Sequence, residues 1–387
     1  MKKIAIVNQR YGLEVNGGSE YYTRMLAEQL AKEYDVTVLT TCAEDYTTWK
    51  NVYPVGETVV NGVKVRRFPV KKERNMPRFR IISKLVRSLP FTCKALEKVW
   101  AKEQGPYAPE AVEYITNNAE QYDSFIFVTY LYYLTLMGLP SVTHKSILIP
   151  TAHNEPYLFF SIYRNVFKAT KSIVYLTEEE KTLVQRTFSN HYIPSVVAGM
   201  GIKVPDMVSS EAFRQKYGVT GEYLIYVGRI DEGKNCEAMF EQYASFKEET
   251  GSEIKLVLIG KAVMPVPEHP DIISAGFVSE EDKYAAIAGA KALWMPSKYE
   301  SLSIVVLEAM ALGVPVLVNG ECEVLKAHCR KSGAGLYYQN GKEVINALNA
   351  LLESEENNKC FGKLGKEYVK NNYDWALIMS HFKHLLN

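Results

Sequence analysis

Residues 295–317 read Met-Pro-Ser-Lys-Tyr-Glu-Ser-Leu-Ser-Ile-Val-Val-Leu-Glu-Ala-Met-Ala-Leu-Gly-Val-Pro-Val-Leu. Lys291 to Trp294 ends an apolar strand that Pro296 stops, and Ser301 or Ser303 is placed to cap a helix continued by Ile304, Leu307, Glu308 and Ala311 as far as Gly313. The order strand, loop, short helix, strand leaves Glu300 in the loop and Glu308 about a turn inside the helix. The first-turn N–H groups between them suit an anion such as a diphosphate. Spacing alone decides nothing, since Glu20/Glu28 and Glu241/Glu249 are equally far apart.

Two other stretches have a similar build. Tyr223 to Val227 runs into Gly228-Arg229-Ile230-Asp231-Glu232-Gly233-Lys234-Asn235, which points two cations at the end of a strand. Near the start, Lys3 to Asn8 leads through Gly12, Gly17 and Gly18 to Ser19, which is placed to open a helix carrying Met25, Leu26, Leu30 and Ala31. Strand, glycine loop and helix N-terminus make a phosphate-type entry to a Rossmann-like half, although Gly-Gly-Ser-Glu is not the dinucleotide Gly-x-Gly-x-x-Gly. Further strands are expected at 35–41, 63–70, 123–129, 146–151, 171–176, 196–202, 254–260 and 273–278. Asn61-Gly62 leads into the second of these, and Thr177 with Glu180 forms a capping box.

The Glu300…Glu308-Ala309-x-Ala311-x-Gly313-x-Pro315-Val316 run resembles the signature of glycosyltransferase family 4, retaining enzymes of the GT-B fold. That resemblance implies an α/β chain of two Rossmann-like domains facing a central cleft, with the C-terminal helix crossing back to the first. The expected division is 1–204, with 373–387 packing back on it, and 205–372. It implies that Arg229 and Lys234 hold the donor diphosphate, Glu300 the transferred sugar and Glu308 the ribose hydroxyls. Ser301, Leu302 and Ser303 follow along the phosphates, Leu302-Ser303 standing where the family usually has Phe-Gly. It places His153, after the strand ending at Thr151, beside the donor sugar, and Gly17 and Gly18 near donor phosphate and acceptor. Phe277 and Val278 line the nucleobase pocket, Phe277 being equally suited to a core.

The chemistry expected from the resemblance is electrostatic. No two aspartates stand two residues apart, so an Asp-x-Asp metal site is missing and metal independence is expected, with no cofactor beyond the nucleotide-sugar donor. UDP is the commoner base in the family. Two competing functions remain: a GT-B sugar-nucleotide epimerase, and a non-catalytic sugar-nucleotide-binding protein.

Composition sets the outer bounds. The chain has 387 residues, 47% hydrophobic and 23% charged, enough for two globular domains. Six scattered cysteines without a Cys-x-x-Cys pair suggest neither a zinc site nor a disulfide framework, and the first apolar run is too short for a secretion signal, so a cytoplasmic protein is expected. Ser124 to Thr143 lacks charge, but Gly138 and Pro140 break it into a buried strand and helix. The net charge of +1 hides an excess of Lys and Arg in 64–102. There Ile82, Leu85, Val86 and Leu89 fall at helical spacing among Arg78, Arg80, Lys84 and Arg87. Such a helix lies on an anionic membrane, holds an anionic acceptor such as a lipid-linked saccharide of bacterial surface polysaccharide synthesis, or packs on its own domain. No base-reading module accompanies the charge, so nucleic acid is not an expected partner.

Overall fold

The computed structural model describes residues 1–88 and 93–386 and divides the chain into two compact units. Unit 1 is Met1–Met200 with Met379–Asn387, and unit 2 is Gly201–Ile378. Leu89, expected on the basic helix, lies outside the described residues.

Unit 1 is built on eight strands: β1 (Lys3–Val7), β2 (Asp35–Thr41), β3 (Gly56–Val60), β4 (Val63–Phe68), β5 (Ser124–Val128), β6 (Ser146–Ile149), β7 (Ser172–Tyr175) and β8 (Ser195–Val197). Their spatial order is β3-β4-β2-β1-β5-β6-β7-β8, parallel except for the β3–β4 hairpin. Sequence reasoning found only the second arm of that hairpin. Asn61 and Gly62, at φ 48° and 80°, form a two-residue turn that folds 56–60 back on β4. β5 and β6 are buried along their whole length, as apolar strands covered on both faces must be.

Unit 2 carries β9 (Tyr223–Val227), β10 (Lys255–Ile259), β11 (Ile272–Gly276), β12 (Ala292–Met295), β13 (Val316–Asn319) and β14 (Gly335–Tyr338). All are parallel, in the order β11-β10-β9-β12-β13-β14. The first strand in the chain thus lies mid-sheet, and the direction of winding reverses between β9 and β12. Loops leaving the carboxyl ends of strands at such a reversal diverge to opposite faces and open a crevice for ligands. The Gly228-Arg229 segment leaves β9 and the Glu300 loop leaves β12, so the sheet topology brings these two stretches together. Glycine is needed here: a Cβ on Gly260, at φ +135°, would lie 1.9 Å from the Gly228 carbonyl oxygen.

Two local expectations are corrected. Gly18, not Ser19, begins the first helix (Gly18–Leu30), and no side chain caps it. Ser303 does stand at the N-cap position of the helix Ile304–Leu312, yet in a left-handed conformation (φ 61°, ψ 71°) and with no capping bond from its hydroxyl. The Thr177 hydroxyl accepts from the Glu180 N–H as a cap should, at 3.1 Å. The Glu180 carboxylate accepts from the N–H groups of Leu176 and Ala152, at 2.6 and 2.5 Å. The charge-free stretch 124–143 splits into β5 and the helix Tyr133–Gly138, and among the described residues no helix is long and apolar enough to cross a membrane.

Candidate active site

At the winding reversal of unit 2, Lys234 Nζ lies 2.6 Å from Glu300 Oε1. Asp231 organises the first loop. One carboxylate oxygen accepts the Lys234 N–H at 2.8 Å and the other pairs with Arg229 Nε, so one acid sets both cations. The Arg229 carbonyl is tied down by Tyr226 Oη at 2.6 Å. The Pro296 carbonyl accepts from the side-chain amides of both Asn235 (3.1 Å) and Asn319 (3.0 Å), which bolts the two loops together. The structure therefore brings Arg229, Lys234 and Glu300 to one place. Asp231 was missed, because an aspartate two residues after an arginine reads as an ordinary turn former.

Within that loop Leu302 is buried, and Ser303 holds a conformation that costs an L-residue about 1 kcal/mol or more. Its hydroxyl is buried with no hydrogen-bond partner among the described residues, which adds a desolvation cost. One turn on, Glu308 is 3% exposed, and its Oε1 accepts from Lys283 Nζ at 2.8 Å and Tyr284 Oη at 3.2 Å. Burial pushes this carboxyl above its ordinary range, while the Lys283 ammonium pulls it back. Lys283 and Tyr284 lie on the helix Glu280–Ala288, which follows Phe277 and Val278. Phe277 is 69% exposed and so is not a core residue, whereas Val278 is buried.

Unit 1 repeats the arrangement at its own reversal, between β1 and β5. After β1 the Arg10 guanidinium and the Glu20 carboxylate form a buried pair at 2.6 Å, joined by Gln9 Nε2 at 2.7 Å. The pair fixes the loop around Gly17, where a Cβ would meet Glu20 Oε2 at 2.2 Å. Gly17 and Gly18 thus stand at the N-terminus of the first helix as expected. After β5 and β6 the chain turns through Thr129 (φ 66°) and Thr151 (φ 50°), conformations costly for β-branched residues and typical of sites where strain is retained. His153 follows, its Nδ1 3.3 Å from Glu155 Oε1, the same oxygen that accepts from Tyr130 Oη at 2.9 Å. Beneath this loop burial pushes Glu180 up to about 8, against the pull of its two N–H bonds.

Part of the basic stretch is paired. Lys64 meets Asp35 and Arg66 meets Glu57, both at 2.7 Å; Lys72 and Arg78 share Glu103; Lys71 pairs with Glu110. Arg67 is buried against Thr58 and the Tyr11 carbonyl, and Arg74 is stacked over Trp49, where burial lowers its guanidinium to about 10. Glu97 is an internal acid: it accepts from the Ser161 and Ile162 N–H groups. On the helix Met76–Ser88, Phe79, Ile82 and Val86 pack on the core, while Ile81 (69%) and Leu85 (49%) stay exposed beside exposed Arg80 and Lys84. Leu85 was expected on the same apolar face as Ile82 and Val86.

Residues 209–368, within unit 2, match the family described as Glycosyl transferases group 1. An uncharacterised glycosyltransferase of Methanocaldococcus jannaschii is 23% identical over 238 residues, 58% of this chain and 60% of that protein, so the alignment spans only part of the relative's length. Among solved structures, sucrose-phosphate synthase of Thermosynechococcus elongatus superimposes with a TM-score of 0.75 at 16% identity, covering 100% of this chain and 98% of its own. Anabaena HepE, solved with UDP and glucose, gives 0.73 at 14% identity, covering 100% and 99%. The chain has the GT-B fold: two Rossmann-like domains, each on a mainly parallel sheet.

Proposed function

We propose that the protein is a retaining, metal-independent glycosyltransferase that moves a sugar from a nucleotide-diphosphate donor to an acceptor hydroxyl. The observation that carries this reading is the meeting of Arg229, Lys234 and Glu300 at the winding reversal of a group 1 domain. Breaking the bond between sugar and diphosphate develops negative charge on the leaving phosphate, and fixed cations with a helix N-terminus stabilise it without reorganising. Arg229, Lys234 and the first turn of Ile304–Leu312 supply those groups. Glu300 takes the sugar hydroxyls and Glu308 the ribose; eight residues of loop and helix cover about 10 Å, the scale of a diphosphate between two sugars. Phe277, exposed, stacks on the base.

Retention by double displacement needs a carboxylate nucleophile under the sugar. Glu300 is engaged by Lys234 and is assigned to hydroxyl binding, so the acceptor attacks from the side the diphosphate leaves and the departing phosphate takes its proton. UDP is the favoured nucleotide; HepE was solved with it. Unit 1, with Gly17, Gly18 and His153, is the acceptor side. The exposed Arg80, Ile81, Lys84 and Leu85 suit an anionic membrane, at roughly 1 kcal/mol per basic residue near the surface. The corresponding proposal is an enzyme at the inner face of the cytoplasmic membrane with a lipid-linked saccharide of surface polysaccharide synthesis as its acceptor.

The test is incubation with UDP-sugars and a bacterial lipid extract, reading the product's anomeric configuration by NMR. An α-configured product from an α-configured donor is expected. Epimerised nucleotide sugar from donor alone would show an epimerase, and binding without turnover a non-catalytic protein. Flotation with anionic but not neutral vesicles at low salt is expected; no flotation would leave the basic face as plain surface.

A further inference from the structure

The strained stretch beside Glu300 is held from behind by a residue that the mechanism above does not use. His328, on the helix Glu323–Ser332, is 2% exposed. Its Nε2 lies 2.8 Å from the Leu302 carbonyl oxygen and its Nδ1 3.1 Å from Tyr368 Oη. A carbonyl oxygen only accepts, so Nε2 carries the proton. Tyr368 Oη lies 3.4 Å from Tyr373 Oη, and both phenol rings meet the imidazole edge-on with centroids 6.1 Å away. The ring is therefore fixed on both nitrogens and on its flanks. What it grips is the peptide leading directly into Ser303, which is left-handed and carries an orphaned buried hydroxyl. Two unfavourable features at one residue persist only where the surroundings over-determine the backbone. The Val306 and Leu307 N–H groups turn back onto the Ser303 carbonyl at 3.1 and 3.4 Å, so the Ser303 conformation also sets how the first turn of Ile304–Leu312 begins.

We propose that His328 is a positioning residue for nucleotide-diphosphate binding: by gripping the Leu302 carbonyl it holds Ser303 left-handed and keeps the first-turn amides aimed at the diphosphate. The inference rests on the function proposed above. It explains how a chain with Leu-Ser at this place keeps a turn that only glycine adopts freely. Glycine at 303 removes the strain, so the need for the His328 grip falls with it.

The experiment is a mutant cycle on the full chain, using UDP affinity by calorimetry and amide hydrogen exchange of residues 300–307. His328→Leu leaves the buried Leu302 carbonyl without its donor and is expected to weaken UDP binding about 30-fold and speed exchange in that segment. His328→Gln, whose amide nitrogen can reach as Nε2 does, is expected to stay within about threefold of the parent. Adding Ser303→Gly to His328→Leu is expected to recover about tenfold of the lost affinity and restore protection. Losses from the two substitutions that simply add, or His328→Leu binding UDP as the parent does, would overturn the proposal. A merely structural histidine would lower the unfolding temperature without rescue by glycine. If the parent bound no nucleotide diphosphate, the functional reading and this role would both fall. A parent that binds, with no coupling in the cycle, would refute the His328 role alone.

Discussion

Lys234 and Glu300, 66 residues apart in sequence, are joined at 2.6 Å between ammonium and carboxylate, both partly buried. In the free protein, the cation assigned to the diphosphate is already neutralised by the acid assigned to the sugar. Donor binding must share that ammonium, and the carboxylate beside it opposes an incoming anion. Glu300→Gln is therefore expected to bind UDP about tenfold more tightly, a gain of about 1.4 kcal/mol, while slowing transfer about 100-fold. Calorimetry and initial rates on the same preparation check both halves; weaker UDP binding would refute the first.

Asp231 sets Arg229 with one oxygen and the Lys234 backbone with the other. Asp231→Ala removes both supports and is expected to weaken UDP about tenfold, whereas Asp231→Asn keeps an acceptor for the Lys234 N–H and loses less. Equal losses would mean that charge rather than loop geometry is the contribution.

Glu308 can accept with both oxygens from a ribose diol only while ionised, and burial works against that. Lys283 is the group that restores the charge. In Lys283→Met the carboxyl moves further up, so UDP affinity is expected to fall more steeply with decreasing pH than that of the parent. The difference between variant and parent should shrink with 2′-deoxy-UDP, which offers half the diol. Titration of both nucleotides against both proteins across a pH series decides it.

Glu180 gives a stability prediction. Its folded value, about 8, lies above the ordinary 4.5, so between these limits the folded state binds more protons than the unfolded one. Stability contributed by this group is complete below about pH 4.5 and lost as pH rises toward 8, at up to about 1.4 kcal/mol per unit. The unfolding free energy of the parent relative to Glu180→Gln is expected to decline across that range. A difference that grew with pH would reverse the assignment.

The order of strand, loop and helix in 295–317 and the strand and loop of 223–235 were legible because the information is local: an apolar strand and the breaker after it fix which side chains stand at the strand's carboxyl end. Partners drawn from distant chain could not be read that way. Lys283 reaches Glu308 from another helix, His328 reaches Leu302 across 26 positions, and Glu20, whose spacing to Glu28 looked like coincidence, is the buried partner of Arg10. Charge counting over 64–102 could not show which of those cations are paired, since Asp35, Glu57, Glu103 and Glu110 all lie outside that window. The Ser303 hydroxyl looked like a cap because composition does not report a left-handed backbone.

Fixed cations, not a bound ion, are proposed to hold the leaving diphosphate. UDP calorimetry in excess chelator on the parent and on the double variant Arg229→Ala, Lys234→Met separates the two. Undiminished binding by the parent and a loss of at least about 100-fold in the variant are expected. Binding that chelator abolishes in the parent, or that survives intact in the variant, would contradict the proposal.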